Sequence, residues 1–266
     1  YCRSAALRFA SGQTNSSDLN SLEGSCPCQG SRAQAHGAHL VIQVEGVELS
    51  QPVLAASPPF PYTPAMMSKA DLRAQARAGR KALAARDPGA ASRAAGYAPA
   101  MLDALFGREG GWAQEVARGH RLTVALYRPR GAEMDTAPLA RALSDLSCDL
   151  ALPCVEALAA PLVFRRWTAG QVLGLDLVGS AAPLPEVEAV DPELIVTPLL
   201  AFDVFGQRLG QGGGYYDRTF AARPDAARVG LAWTAQARDR LPAEVHDIAL
   251  HGVLTETGYT PARKAD

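Results

Sequence analysis

No run of apolar residues in this sequence approaches the roughly 18 that a membrane-spanning helix requires. The first thirty residues carry Asn15, Ser16, Ser17, Asp18 and Asn20 and lack the apolar stretch of a secretory signal. Cysteine is scarce and unevenly spread: Cys2, Cys26, Cys28, Cys148 and Cys154 are odd in number and make no disulfide framework. Such usage implies a reducing cytosol, and Cys148 and Cys154, set among apolar neighbours, read as core residues. Neither sign of charge is in excess, with 26 Lys and Arg against 27 Asp and Glu. The chain therefore has no general pull toward nucleic acid or an acidic membrane, and any anionic ligand has to be held by a local cluster of cations. The phosphate fingerprint G-x-x-x-x-G-K-[ST] is absent, and G-x-G-x-x-G fails at Tyr215. Cys26 and Cys28, followed by His36 and His39, are both spaced more tightly than zinc-ligand pairs, so they read as no metal site.

What is present is ordinary for a globular protein: 48% hydrophobic and 20% charged residues over 266 positions, enough for one large α/β domain or two small ones. Residues 1–66 stand apart. They scatter Ser, Gly, Gln and Asn and end in Ser57-Pro58-Pro59-Phe60-Pro61-Tyr62-Thr63-Pro64, with His39 to Leu49 as a candidate strand or hairpin. Such a composition buries too little apolar surface to offset the entropy of ordering. Residues 1–66 are expected to be a disordered or non-native extension, and residues 67–266 the functional domain.

From Ser68 the pattern becomes orderly. Ser68 can cap a helix with Asp71 three residues on, good helix formers run to about Ala85, and Pro88-Gly89 stops it. A second helix is expected over Ala90 to Phe106, bent or split by Pro99. Strands are expected at Leu122–Tyr127, Leu150–Leu152, Leu162–Arg166, Leu194–Leu200, Val229–Trp233 and Gly252–Thr255, with helices from Asp135 or Thr136 to Leu146 and from Gly214 to Ala222. Apolar strands alternating with helices imply a single α/β domain whose mostly parallel, Rossmann-like sheet is covered on both faces.

Three groups of residues could carry chemistry. The first is the segment from Arg208 to Arg218, reading RLGQGGGYYDR, which follows an apolar strand and runs into a helix. Glycines at 210, 212, 213 and 214 clear side chains from the backbone N–H groups, the helix start adds its positive end, and Arg208 can fork onto phosphate. On the glycines alone, a plain strand-to-helix connection explains the segment better than an anion site does. The second group is Lys69, Arg73, Arg77 and Arg80, which one helix places within an arc of about 80°. A solvated basic face is the ordinary explanation. Against it, Lys69 and Arg73 oppose the helix dipole by about a few tenths of a kcal/mol each, which is better explained by a nearby anion. The third group is acidic: Glu133 and Asp135 after a strand end, Asp217 in a first helical turn, and Asp247 beside His246. Asp217 and Asp247 are candidate Mg²⁺ ligands, against the plainer roles of helix start and turn. Trp167 could stack on a flat heterocycle or simply fill the core.

Together these stretches resemble the 5-formyltetrahydrofolate cyclo-ligases, also called 5,10-methenyltetrahydrofolate synthetases. The likeness runs in order from Lys69-x-x-Leu72-Arg73 through Tyr127, Glu133-Met134-Asp135-Thr136, Phe164-x-x-Trp167 and Pro198-Leu199-Leu200-Ala201-Phe202-Asp203 to Arg208–Asp217 and His246-Asp247. It implies a cytoplasmic ligase of one-carbon metabolism that uses ATP and Mg²⁺ to convert 5-formyltetrahydrofolate to 5,10-methenyltetrahydrofolate. A monomer is expected, with small molecules as partners and neither nucleic acid nor membrane. Carried over by position, Lys69, Arg73, Arg208, Leu209, Gly210, Gln211, Gly212, Gly213, Gly214, Tyr215 and Tyr216 would form the ATP site. Lys69, Arg73 and Arg208 would act on the transferred phosphoryl group. Arg128, Glu133, Trp167 and Tyr215 would hold the folate, and Asp217 and Asp247 the magnesium.

The chain departs from the family's pattern at Gly213, where many members have Lys, at Arg128, often apolar, and at His251, where an acid is frequent; residues 1–66 have no counterpart. Gly213 and His251 leave open a folate- or nucleotide-binding protein of the same fold without turnover. A third reading, a phosphosugar or acyl-transfer enzyme on a similar sheet, predicts no need for ATP.

Overall fold

The computed structural model describes residues 24–25, 32–36, 39–44, 47–52, 68–108 and 110–264. The chain divides between Met66 and Met67 into two units. In the first, β1 (Gly24–Ser25), β2 (Arg32–His36), β3 (His39–Val44) and β4 (Val47–Pro52) form an antiparallel sheet in that order. The expected strand or hairpin at His39–Leu49 is thus the β3–β4 hairpin. The Cys26, Cys28, His36 and His39 cluster lies outside the residues whose side chains are described.

The second unit begins with α1 (Lys69–Arg86), whose N-cap Ser68 accepts from the Asp71 amide at 3.2 Å. The expected long second helix is split into α2 (Ala90–Ala95) and α3 (Ala98–Phe106). The break falls at Gly96-Tyr97, which leaves Pro99 in the first turn of α3, where it has no intrahelical N–H bond to lose. There follow α4 (Gly111–Ala117), β5 (Thr123–Ala125), α5 (Ala137–Asp145), β6 (Asp149–Cys154), β7 (Val163–Arg166), β8 (Gly174–Leu175) and β9 (Ala181–Ala182). The unit ends with β10 (Leu194–Pro198), β11 (Ala201–Phe202), β12 (Arg208–Leu209), α6 (Tyr215–Ala222), β13 (Ala227–Leu231), a 3-10 turn (Thr234–Gln236), β14 (Gly252–Thr255) and β15 (Gly258–Pro261).

The central sheet has seven strands in the order β15-β14-β13-β10-β5-β6-β7. Its four inner pairings are parallel and its two outer ones antiparallel. Taken alone, the parallel strands run second, first, third, fourth, fifth across the sheet. That doubly wound order reverses between β5 and β10, and ligands bind beyond the carboxyl ends of strands at such a point. Both faces are covered, as the apolar runs demand. Val124, Leu150, Leu152, Leu194, Val196, Val229 and Leu231 pack against α2–α5, while Ala125, Ala151, Ile195 and Val253 pack with Phe220 of α6. A smaller cluster joins Ala76 of α1 to Leu200, Ala201 and Leu209 of the β11–β12 hairpin, which places α1 beside the switch point. Among the described residues no helix is long and apolar enough to cross a membrane. Cys148 and Cys154 are free and buried, and burial pushes their thiols up to about 12 and about 11, which keeps them protonated and unreactive.

Candidate active site

A cavity of about 290 Å³ opens at the switch point, between the segments that follow β5 and β10. Its walls come from Tyr127, Arg128, Arg130 and Glu133 after β5, Pro153 and Val155 of the β6 end, Val178, Ser180 and Ala181, Pro198 of β10, and Arg208 to Asp217. Apolar walls with a few converging polar groups suit a heterocyclic ligand.

The glycine segment is not a direct strand-to-helix link. The chain first folds back as the β11–β12 hairpin, whose turn is tied by Asp203 accepting from the Phe205 and Gln207 amides at 3.0 Å each. Arg208 therefore sits on a strand and not in a loop. Gly212 and Gly214 hold φ of +103° and +65°, conformations that a side chain would strain. Gly210 has no atom within 4 Å of where a Cβ would stand, so space lies open above it. Gly214 caps α6 without a side-chain bond, which leaves the first N–H groups of that helix available to an anion.

The basic stripe of α1 is not a solvated face. Lys69 Nζ donates to Asp247 Oδ2 at 2.7 Å and lies 3.1 Å from Glu244 Oε1. Arg73 Nε donates to Gly210 O at 3.1 Å, and Arg77 Nε to Gln211 Oε1 at 3.0 Å. Arg80 turns inward to Glu133. From the other side of the loop, Arg218 Nη2 donates to Gly213 O at 2.7 Å and its guanidinium lies over the Tyr215 ring. Among the described residues Arg73, Arg77 and Arg218 have no carboxylate within ion-pair distance, so three charged groups grip the glycine segment with their charge unmatched.

The other two cations are matched. Arg208, 6% exposed, pairs with Asp217 at 2.8 Å, donates to Ile248 O at 2.9 Å and lies over Phe220. Lys69 and Asp247 form the second pair. Burial is the largest single influence and opposes the charge on both, but the favourable contacts together outweigh it. Asp247 and Glu244 raise the Lys69 ammonium above its ordinary value, and Lys69, the Glu244 amide and His246 hold the Asp247 carboxyl below its own. Lys69 and Arg208, two of the three cations expected at phosphate, are thus each paired with a carboxylate expected at magnesium, and the two pairs meet at Asp247-Ile248. Asp217 Oδ2 and Asp247 Oδ1 accept no hydrogen bond among the described residues, which leaves a hard oxygen on each for a cation. Glu244, His246 and Asp247 also bring ligand atoms within 4.8 Å of one another.

Elsewhere in the cavity wall, the Glu133 side chain is 5% exposed. It accepts from the Arg130 amide at 3.0 Å and from Arg80 at 3.4 Å. Tyr127 and Tyr216 stand near it. Burial, then the Glu133 charge, push both phenols well above their ordinary value, so both remain neutral donors. Asp135 is exposed and caps α5 through the Ala137 amide at 3.0 Å. Trp167, expected in the folate pocket, does not line the cavity. It is buried in the cluster with α2–α5, on the other face of the sheet. Strand residues three apart point to opposite faces, so Phe164 faces α6 and Trp167 faces away.

Comparison with known proteins decides the family. The model described as the 5-formyltetrahydrofolate cyclo-ligase family matches residues 65–256. The chain belongs to the 5-formyltetrahydrofolate cyclo-ligase family. Over 144 residues, 50% of this chain and 77% of the relative, it is 35% identical to the 5-formyltetrahydrofolate cyclo-ligase of Escherichia coli K12. The Mycolicibacterium smegmatis cyclo-ligase is 33% identical over 141 residues, 50% of this chain and 73% of that protein. A solved structure of Aquifex aeolicus 5,10-methenyltetrahydrofolate synthetase superposes with a TM-score of 0.56 at 28% identity, covering 75% of this chain and 95% of that one.

Of the cyclo-ligase departures, His251 does not line the cavity. It accepts from the Arg228 amide at 2.9 Å where β13 and β14 begin, the strand ends away from the cavity. At Gly213 the missing side chain is met by Arg218, which reaches the same loop from α6. The sequence singles out no role for Arg218, the last residue of the glycine segment, and does not single out Glu244, whose partner Lys69 lies far along the chain.

Proposed function

We propose that this chain converts 5-formyltetrahydrofolate and ATP to 5,10-methenyltetrahydrofolate, ADP and phosphate. One observation carries the reading: a single cavity is lined both by a cation-ringed glycine segment and by a buried carboxylate, Glu133. That is what two ligands of opposite demand require. A triphosphate needs positive charge and N–H donors, and a pterin ring needs an acceptor for its ring N–H and amino group.

The formyl group is an amide and a poor electrophile. In the proposed route its oxygen attacks the γ-phosphorus, the bond to ADP breaks, and the formyl carbon becomes an iminium phosphate. N-10 then attacks that carbon and loses its proton, and phosphate leaves carrying the former formyl oxygen. Such transfer asks for positioning and charge neutralisation more than for covalent help. Lys69, Arg73, Arg208 and the backbone from Gly210 to Gly214 hold the phosphates, with Tyr215 and Tyr216 bordering both ligands. Arg128, exposed at the cavity mouth, faces the folate's glutamate end. Asp217 and Asp247 are the residues that would hold Mg²⁺, which when bound offsets charge on the phosphate oxygens. The buried free thiols agree with a cytoplasmic setting.

Substrate labelled with ¹⁸O in the formyl group tests the route. The label should appear in inorganic phosphate at one atom per turnover; label retained in the folate or released to water would overturn it.

A further inference from the structure

Arg80, unlike Arg73 and Arg77 of the α1 stripe, turns away from the glycine segment. Its side chain is 7% exposed and faces a carboxylate that is 5% exposed. Nη1 donates to Glu133 Oε1 at 3.4 Å and to Leu199 O at 3.2 Å. Leu199 follows β10 and Glu133 lies in the segment after β5, so one guanidinium ties together the two chain segments that flank the switch point. The Leu199 carbonyl is fixed on its far side by Gln236 Nε2 at 3.0 Å. Among the described residues Glu133 is otherwise held by the Arg130 amide alone, and that amide belongs to the same short segment.

A carboxylate taken out of water is costly unless it is paired and hydrogen-bonded. An apolar residue at position 80 would fill the volume without that cost, so the pair is a poor device for stability. It is a good device for direction: Oε1 is turned toward α1 and Oε2 toward Arg130, which fixes the plane of the carboxylate at the cavity. The Nε of Arg80 is buried with no partner among the described residues, so the side chain spends donor capacity to reach this geometry.

We infer that Arg80 is a positioning residue for 5-formyltetrahydrofolate, acting through Glu133 and not through the nucleotide. This rests on the reading of Glu133 as the pterin acceptor. Arg80 shares α1 with Lys69 and Arg73, so a mere shift of the helix would disturb ATP as much as folate. A role through Glu133 disturbs folate alone.

The test is a double-mutant cycle on the full chain with steady-state kinetics for both substrates, using R80M, R80K, E133Q and the R80M/E133Q and R80K/E133Q pairs. R80M is expected to raise KM for 5-formyltetrahydrofolate at least about tenfold, as loss of a charge-assisted contact would, while KM for ATP stays within about twofold. R80K is expected to recover part of that loss. In the E133Q background neither change should add a further effect, because the group that Arg80 positions is gone. Additive losses, or equal losses for ATP and folate, would overturn the proposal and leave a structural arginine. If R80M does not fold, R80K and its pair with E133Q decide the same question. If E133Q alone leaves KM for 5-formyltetrahydrofolate unchanged, the reading of Glu133 has failed, and the Arg80 proposal with it.

Discussion

Arg208→Ala removes a guanidinium with two charge-assisted contacts, to Asp217 at 2.8 Å and to Ile248 O at 2.9 Å, and its stacking over the Phe220 ring. Charged hydrogen bonds contribute about 1.5–3 kcal/mol each, and the full sum would overstate the loss. Asp217 is 21% exposed and can recover water, so about 2–4 kcal/mol is expected. For a unit of this size that lowers Tm by roughly 5–15 °C. Phosphate binding is read separately, by the ATP-dependent rise in Tm. At ATP one hundredfold above the wild-type Kd, binding stabilises the native protein by about 2.7 kcal/mol. If Arg208 contacts phosphate, a loss of about tenfold in affinity is expected, and the same ATP then stabilises the variant by only about 1.4 kcal/mol. Differential scanning fluorimetry with and without ATP measures both. A variant with lowered Tm but a wild-type rise on ATP would keep Arg208 as a structural residue and remove it from the phosphate site.

The Lys69–Asp247 pair sets a pH window. Lys69, raised, stabilises below its ordinary value of 10.5 and loses this as pH climbs through the raised one; Asp247, lowered, stabilises above 3.8 and loses this as pH falls through the depressed one. Asp247→Asn should therefore lower Tm near neutrality, with the difference from wild type shrinking as pH drops below 3.8; a constant difference would break the assignment. Arg218→Ala should raise KM for ATP at least about threefold with KM for folate unchanged, since its charge lies at Gly213 O; an unchanged KM for ATP removes it from the site. Because Met67–Asp266 is a unit of its own and holds every site residue, deletion of residues 1–66 should leave Tm and turnover as they were. A truncated chain that does not fold would place the boundary elsewhere.

Much of this was legible in the sequence, and for physical reasons. Apolar runs such as Leu194–Pro198 are long enough to declare buried parallel strands, and Ser68 and Pro88 mark the ends of α1. The glycine segment announced a bare backbone, and the cation stripe an anion nearby. What stayed hidden depends on distant partners or on very short elements. The β11–β12 hairpin has two residues per strand, too few for any periodicity, so Arg208 read as a loop residue. Lys69–Glu244 and Arg80–Glu133 join residues that no local pattern relates. Trp167 was expected at the folate, and strand alternation turns it to the wrong face. The four cations of the α1 stripe, Lys69, Arg73, Arg77 and Arg80, share one arc of a helical wheel, yet packing against the switch point gives each a different partner.

The most direct measurement is optical. Purified protein mixed with 5-formyltetrahydrofolate, ATP and Mg²⁺ should develop the near-ultraviolet absorbance of 5,10-methenyltetrahydrofolate, and omission of ATP should abolish it. No band, from protein that demonstrably binds ATP, would contradict the account and leave a binding protein on the cyclo-ligase fold.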